Sequence, residues 1–309
     1  MKKMIRKIPV PLAGVMLGCA ALGNLLQSYS EAVRYVFGGI AAVLMLLLLL
    51  KLVLFPSAIR EDLGNPILAS VSATFPMGLM LLSVYTKPFI GVAAKFIWFF
   101  AIALHAALIL YFTVKFILKF DIKKVFASYF IVYVGIAVAG ITAPAYEMQQ
   151  VGAISFWFGF ISLLILLPVV GYRYVKHTAI PEPARPLFCI FAAPTSLCLA
   201  AYLQSVATKA IWLVIALAVL ASVLYLLSLI RLVTFLRLKF YPSYAAFTFP
   251  FVISAIALKQ TMGYLNNAGQ SYGFLPVLVQ IETVVAAILV VYTLVRFVIA
   301  ICAPAKPTA

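Results

Sequence analysis

The chain has 309 residues, 66% of them hydrophobic and 10% charged, with a mean hydropathy of +1.17. Soluble proteins carry about 25% charged residues, so this composition excludes a soluble enzyme, a nucleic-acid-binding domain and a disordered chain. It predicts an all-α integral membrane protein, and the formal net charge of +16 then reads as basic loops on one side of a bilayer.

The first seven residues carry Lys2, Lys3, Arg6 and Lys7, and an apolar run follows from Ile8 to Leu26. That run is long for a secretory signal and contains Pro9, Pro11, Gly14 and Gly18, so we read it as a retained first helix. Runs of about 20 apolar residues suffice to cross a bilayer. They fall at 8–27, 31–54, 66–84, 88–113, 126–144, 149–172, 187–205, 208–235, 243–263 and 275–302, which makes residues 1–309 one transmembrane domain of ten helices. Connections after the odd helices are short, as at Ser28-Tyr29-Ser30 and Thr86-Lys87. Those after the even helices are longer and basic.

The alternation sets an orientation. Of the 23 Lys and Arg residues, 18 fall at the N-terminus, in the connections after helices 2, 4, 6 and 8, and at the C-terminal end (Arg296, Lys306). The other 5 are Arg34, Lys87, Lys95, Lys209 and Lys259. Short loops rich in Lys and Arg stay in the cytoplasm, so both termini are expected there.

Odd helices begin near 8, 66, 126, 187 and 243, in steps of 58, 60, 61 and 56 residues, as five tandem helical hairpins would. Helix breakers recur within them at Gly14, Pro76, Gly135, Pro194 and Pro250. A membrane tolerates such breaks where neighbouring helices or a water-lined cavity satisfy the freed backbone groups. The odd helices are therefore expected to form an inner ring around a central pore. They also hold most of the hydroxyls, among them Thr74, Thr195, Thr248 and Ser254, which are therefore expected to line a polar axis, whereas helix 2 (Leu46 to Leu50) and helix 10 (Val284 to Val291) look lipid-facing.

The interiors of the odd helices contain no Asp, Glu, Lys, Arg or His, with Lys259 near an outer end. Coupled carriers place ionisable groups at mid-membrane, so their absence favours a passive conduit. The exceptions sit on even helices. Lys95 is expected to snorkel to the interface and His105 to serve packing, while an ion pair remains open for Lys95 and Glu282. Cys19, Cys189, Cys198 and Cys302 all lie in apolar runs with no metal-ligand spacing, and no catalytic constellation or phosphate loop is present, so neither an enzyme nor a bound cofactor or metal is expected.

Three stretches carry a resemblance. Arg185-Pro186-Leu187, Ala193-Pro194-Thr195-Ser196 and Ala201-Tyr202 resemble the seventh helix of the tellurite-resistance and dicarboxylate transporter family, which includes the bacterial TehA proteins and the plant guard-cell slow anion channels. Pro11 to Gly18 is similar to its first helix, and Tyr244-Ala245-Ala246-Phe247-Thr248-Phe249-Pro250 to its ninth. The resemblance covers about residues 8–302 and implies a homotrimer in which each subunit has its own pore. It further implies conduction of small anions such as nitrate and chloride, with Phe249 blocking the pore. Gly135 and Gly140 stand where a mid-helix proline was expected, and without long tails kinase gating is not expected. The expected function is an anion channel or exporter. The alternatives are a proton-coupled transporter of C4-dicarboxylates such as malate or of tellurite-type oxyanions, and a non-conducting scaffold.

Overall fold

The computed structural model describes residues 2–303; Lys306 lies outside them, as do the side chains of Lys2 and Lys3. Ten apolar helices make up most of the chain: α1 (Leu12–Leu26), α2 (Glu31–Leu54), α3 (Pro66–Ile90), α4 (Ala93–Ile117), α5 (Tyr129–Tyr146), α6 (Gln149–Lys176), α7 (Glu182–Ser205), α8 (Ile211–Phe235), α9 (Pro242–Asn267) and α10 (Leu275–Cys302). All except α1 are long enough to cross a bilayer unaided. Residues 8–11 lead into α1 through turns in which Leu12, Ala13 and Gly14 each bond a carbonyl three residues back. No strand occurs among the described residues.

Every helix is apolar throughout, so burial, more than amphipathicity, separates inside from outside. In α3, α5, α7 and α9 the apolar windows are 67, 72, 89 and 78% buried, whereas in the even helices the share never exceeds 33%. Helix α1 is buried along nearly its whole length. Packing runs α1 on α3, α3 on α5, α5 on α7, α7 on α9 and α9 back on α1, which closes a ring of five. Each even helix returns beside the odd helix before it and also touches the next one, α10 reaching α1, so the outer layer covers the seams of the inner one.

Small residues let the inner helices approach closely. A Cβ on Gly18 would stand 2.5 Å from Thr248 Cβ, and one on Gly140 would stand 2.8 Å from Ala201 Cβ. At the basic end, the buried Lys51 amine donates to the Ile8 carbonyl at 2.7 Å and to Asp62 at 3.3 Å, tying α2 to the entry of α1. At the other end Arg34 donates to Asn24 at 3.3 Å and lies over the Tyr85 ring at 4.8 Å.

Breaks lie at or beside four of the five landmarks, whereas Gly14 lies within the continuous α-helix Leu12–Leu26, just after the turns of residues 8–11. Helix α3 is interrupted at Ala73, three residues before Pro76, whose ring occupies the place of a backbone N–H. In α5 a 3₁₀ segment covers Val134–Ala137 around Gly135; in α7 one runs from Glu182 to Ala192, and in α9 one covers Pro242–Phe247. Pro194 and Pro250 then open the α-helical halves of α7 and α9, where a missing N–H leaves no bond unmade. One difference concerns the second outer turn, after α3. Helix α3 continues past Thr86-Lys87 to Ile90 and ends at Gly91, which has φ +57° and donates to the Lys87 carbonyl at 2.9 Å. Pro88 sits in the last helical turn, and glycine supplies the left-handed conformation that stops the helix.

Candidate functional site

Inside the ring, one cavity of about 290 Å³ is lined by all five inner helices. Its mouth lies at the end where those helices begin, framed by Pro11, Asn65, Pro181, Pro183, Pro242 and Ser243. The lining then advances in steps of three: Pro11, Gly14, Leu17 on α1; Leu68, Val71, Thr74, Met77 on α3; Ile131, Val134 on α5; Ala184, Leu187, Ile190, Ala193 on α7; Ser243, Ala246, Phe249 on α9. Residues i and i+3 eclipse in a 3₁₀ helix, and most of this half of the ring is 3₁₀ or bonded three residues back. The 3₁₀ segments of α7 and α9 therefore present nearly straight columns of side chains to the cavity, whereas the α-helical turns of α3 drift across it.

The columns close together. Leu17, Met77, Val134, Leu197 and Phe249 form the deepest lining. Three residues further, Ala20, Met80, Ala137, Ala200 and Val252 are all 0% exposed, so the open space stops at the Phe249 layer. Phe249 is aimed there by the junction between the two halves of α9. Thr248, with φ −98° and ψ −95°, breaks the helix, and its hydroxyl donates to the Ala245 carbonyl at 2.7 Å or the Gly14 carbonyl at 3.0 Å. That anchor fixes the residue preceding Phe249 against α1.

The wall is almost wholly apolar. No ionisable side chain lines it, and its polar members are Asn65, Thr74 and Ser243. Asn65 caps α3 by accepting from Ile67 and Leu68 N–H, and the Thr74 hydroxyl donates to the Val71 carbonyl at 2.7 Å. The buried Ser243 Oγ has no partner within the protein. The positive ends of all five inner helices face the mouth, so it carries a fixed positive potential without a charged side chain.

Of the residues singled out from sequence, Gly14, Thr74, Gly135, Pro194, Phe249 and Pro250 line this cavity. Pro76, Thr195, Thr248 and Ser254 do not, though each is buried. Ser254 lies 3.0 Å from the carbonyls of both Pro250 and Ala192 and donates to one or the other, which packs α9 on α7. Expected to mark the polar side facing the axis, Thr248 and Ser254 instead point between helices, because a buried hydroxyl finds its acceptor in a backbone carbonyl. Leu17, Met77, Val134 and Leu197 were missed; a three-residue period, in place of 3.6, reaches the first three, and Leu197 lies one residue beyond it, in the α-helical half of α7.

The three ionisable residues singled out on even helices, Lys95, His105 and Glu282, separate. Lys95 sits half-buried in the first turn of α4 and makes no ion pair with Glu282. His105 is fully buried, and its Nε2–H donates to the Val132 carbonyl at 2.8 Å, just before the 3₁₀ break in α5. It thus takes a carbonyl beside a kink that has no proline. Glu282 lies behind the ring, away from the cavity. All four cysteines are free, and no cluster of His, Cys, Asp and Glu among the described residues could hold a metal ion.

The sequence profile of the voltage-dependent anion channel family matches residues 7–298. No curated protein matches the sequence with significance.

Proposed function

Because the chain belongs to the voltage-dependent anion channel family, we propose that it passes small anions through a pore within each subunit, and that Phe249 is the gate. The observation that carries this reading is the single cavity lined by all five inner helices and floored by the Phe249 layer. The helix dipoles attract anions to its mouth, and an apolar, uncharged neck admits those that shed water easily. Nitrate and iodide should therefore pass more readily than chloride, and cations hardly at all. A bulky ring in such a neck stops ions sterically and by excluding water. The absence of any ionisable group along the wall supports passive conduction over coupling to protons.

The same reading places both termini in the cytoplasm of a bacterial cell, since 18 of 23 Lys and Arg residues group with them. It makes the protein a homotrimer whose even helices meet lipid and partner subunits. Recording anion currents from Phe249→Ala tests the gate, with Phe247→Ala as the comparison. Phe247 is a core residue, fully buried and packed on Tyr244 at 4.7 Å between ring centres, and truncating such a residue costs about 3–5 kcal/mol. The expected result is a well-folded Phe249→Ala protein with a much larger anion current and a poorly expressed Phe247→Ala protein. Unchanged current from folded Phe249→Ala refutes the gate, and reversal potentials that move with pH at fixed anion gradients refute passive conduction.

A further inference from the structure

A second polar site lies behind the ring, where α8 and α10 cover α7 and α9. A cavity of about 10 Å³ there is bordered by Glu282 of α10, Tyr225 and Ser222 of α8, Ser254 of α9 and Ser196 of α7. That is about the space one water needs. Glu282 is 9% exposed and Tyr225 4% exposed, and neither Glu282 Oε2 nor the Tyr225 hydroxyl has a hydrogen-bond partner within the protein. Two orphaned polar groups on different helices therefore meet at one small space.

The serines limit what can occupy it. Ser196 donates to the Ala192 carbonyl and Ser222 to the Ala218 carbonyl, each at 2.9 Å, while Ser254 donates to Pro250 or Ala192. With their hydrogens committed, these hydroxyls offer lone pairs. Among the described residues no cation faces the site. On α9 Lys259 donates to the Leu25 carbonyl, on α8 Arg231 lies over the Phe188 ring, and on α10 Arg296 donates to the Tyr292 hydroxyl. Charged residues of α7 lie at its start, Glu182 and Arg185, and α1, which also touches α10, has none. Tyr225 is the other titratable group at the site.

We propose that this cavity binds a single water and that Glu282 is held there as the neutral carboxylic acid. The carboxyl O–H and the Tyr225 O–H donate to the water, and the water donates to two of the serine oxygens, so four groups are satisfied by one molecule. An ionised Glu282 would remove one of the two donors and leave an uncompensated charge in an apolar setting, which costs far more than an unmet hydrogen bond. The site is thus a proton-holding hub that ties the outer helices α8 and α10 to Ser254, one turn beyond Pro250 on the helix that carries Phe249. It stands independently of conduction.

Infrared difference spectra of the purified full-length protein at neutral pH, wild type minus Glu282→Gln, test it. The other six acidic residues, Glu31, Glu61, Asp62, Asp121, Glu147 and Glu182, lie at helix ends or in connections. A protonated-carboxyl carbonyl band is expected in the wild type, shifting in D₂O, absent from Glu282→Gln and moved but not lost in Tyr225→Phe. Tyr225→Phe keeps the carboxyl, so the band remains readable there if Glu282→Gln fails to fold. A difference confined to the ionised-carboxylate region overturns the proposal. Thermal unfolding in sodium or choline chloride should be the same; a sodium-specific stabilisation lost in Glu282→Gln would make the occupant a metal cation and overturn it too.

Discussion

A methyl group added at Gly18 strikes the contact on which the orientation of Phe249 depends. The new carbon would lie 2.5 Å from Thr248 Cβ, 2.7 Å from Thr248 Oγ1 and 3.1 Å from the Phe249 nitrogen. Carbon atoms pack at about 3.5–4.0 Å, so α1 and α9 must part by about 1 Å, and Thr248 loses its reach to the Gly14 carbonyl. Overpacking costs about 1–3 kcal/mol, and the Thr248 hydroxyl keeps its bond to the Ala245 carbonyl, so Gly18→Ala should destabilise by about 1–3 kcal/mol. Thermal unfolding of the purified protein measures this, with Gly39→Ala alongside. Gly39 is an exposed helical glycine whose added Cβ meets nothing within 4 Å, and alanine there should be neutral or stabilising by up to about 1 kcal/mol. Thr248→Gly removes the colliding atom, so the double variant should be more stable than the sum of the single losses allows. Wild-type unfolding of Gly18→Ala, or strict additivity with Thr248→Gly, would refute the α1–α9 clamp.

Replacing His105 with Leu should cost about 1–3 kcal/mol in unfolding experiments, because the buried Val132 carbonyl loses its donor; an unchanged transition would mean that the carbonyl finds another. Lys51→Met should destabilise by about 1–2 kcal/mol, chiefly by orphaning the Ile8 carbonyl, since the Asp62 side chain is 27% exposed and can turn to water. Adding Asp62→Asn should then make matters no worse. Reporter fusions at Ser57, Asp121 and Ala179 should read cytoplasmic and one at Gly269 periplasmic, and a periplasmic reading at Asp121 would overturn the ten-helix count.

The ring of five was legible because two signals with different physical origins coincide. Apolar length marks each crossing, and Lys and Arg group after every second one. Breakers at equal depth then distinguished odd from even helices, and burial follows that distinction. The turn after α3 was misplaced because a Pro in the last helical turn and a helix stop look alike in sequence, and the decisive residue is Gly91, with its positive φ. The site was half legible. Glycine and proline stand out in composition, so Gly14, Gly135 and Pro194 could be named from the residues, whereas Phe249 was reached only through the family resemblance. Leu17, Met77 and Leu197 could not be named, since nothing chemical separates a leucine on the cavity wall from one in the core. Hydroxyls misled for the opposite reason. Thr248 and Ser254 are conspicuous, yet in an apolar medium their nearest acceptors are backbone carbonyls.

Straight columns alter how such a wall tolerates insertions and deletions. Removing one residue from an α-helix turns everything beyond it by about 100°, and in a 3₁₀ helix by about 120°. Three residues make a full 3₁₀ turn, so loss or gain of a triplet within Glu182–Ala192 restores every later side chain to its former bearing and changes the length of the stretch by about 6 Å. In an ordinary helix the same triplet leaves a residual rotation of about 60°. The rim of this conduit can therefore be lengthened or trimmed in units of three while the Phe249 layer keeps its aim, and changes of one or two residues re-aim the wall.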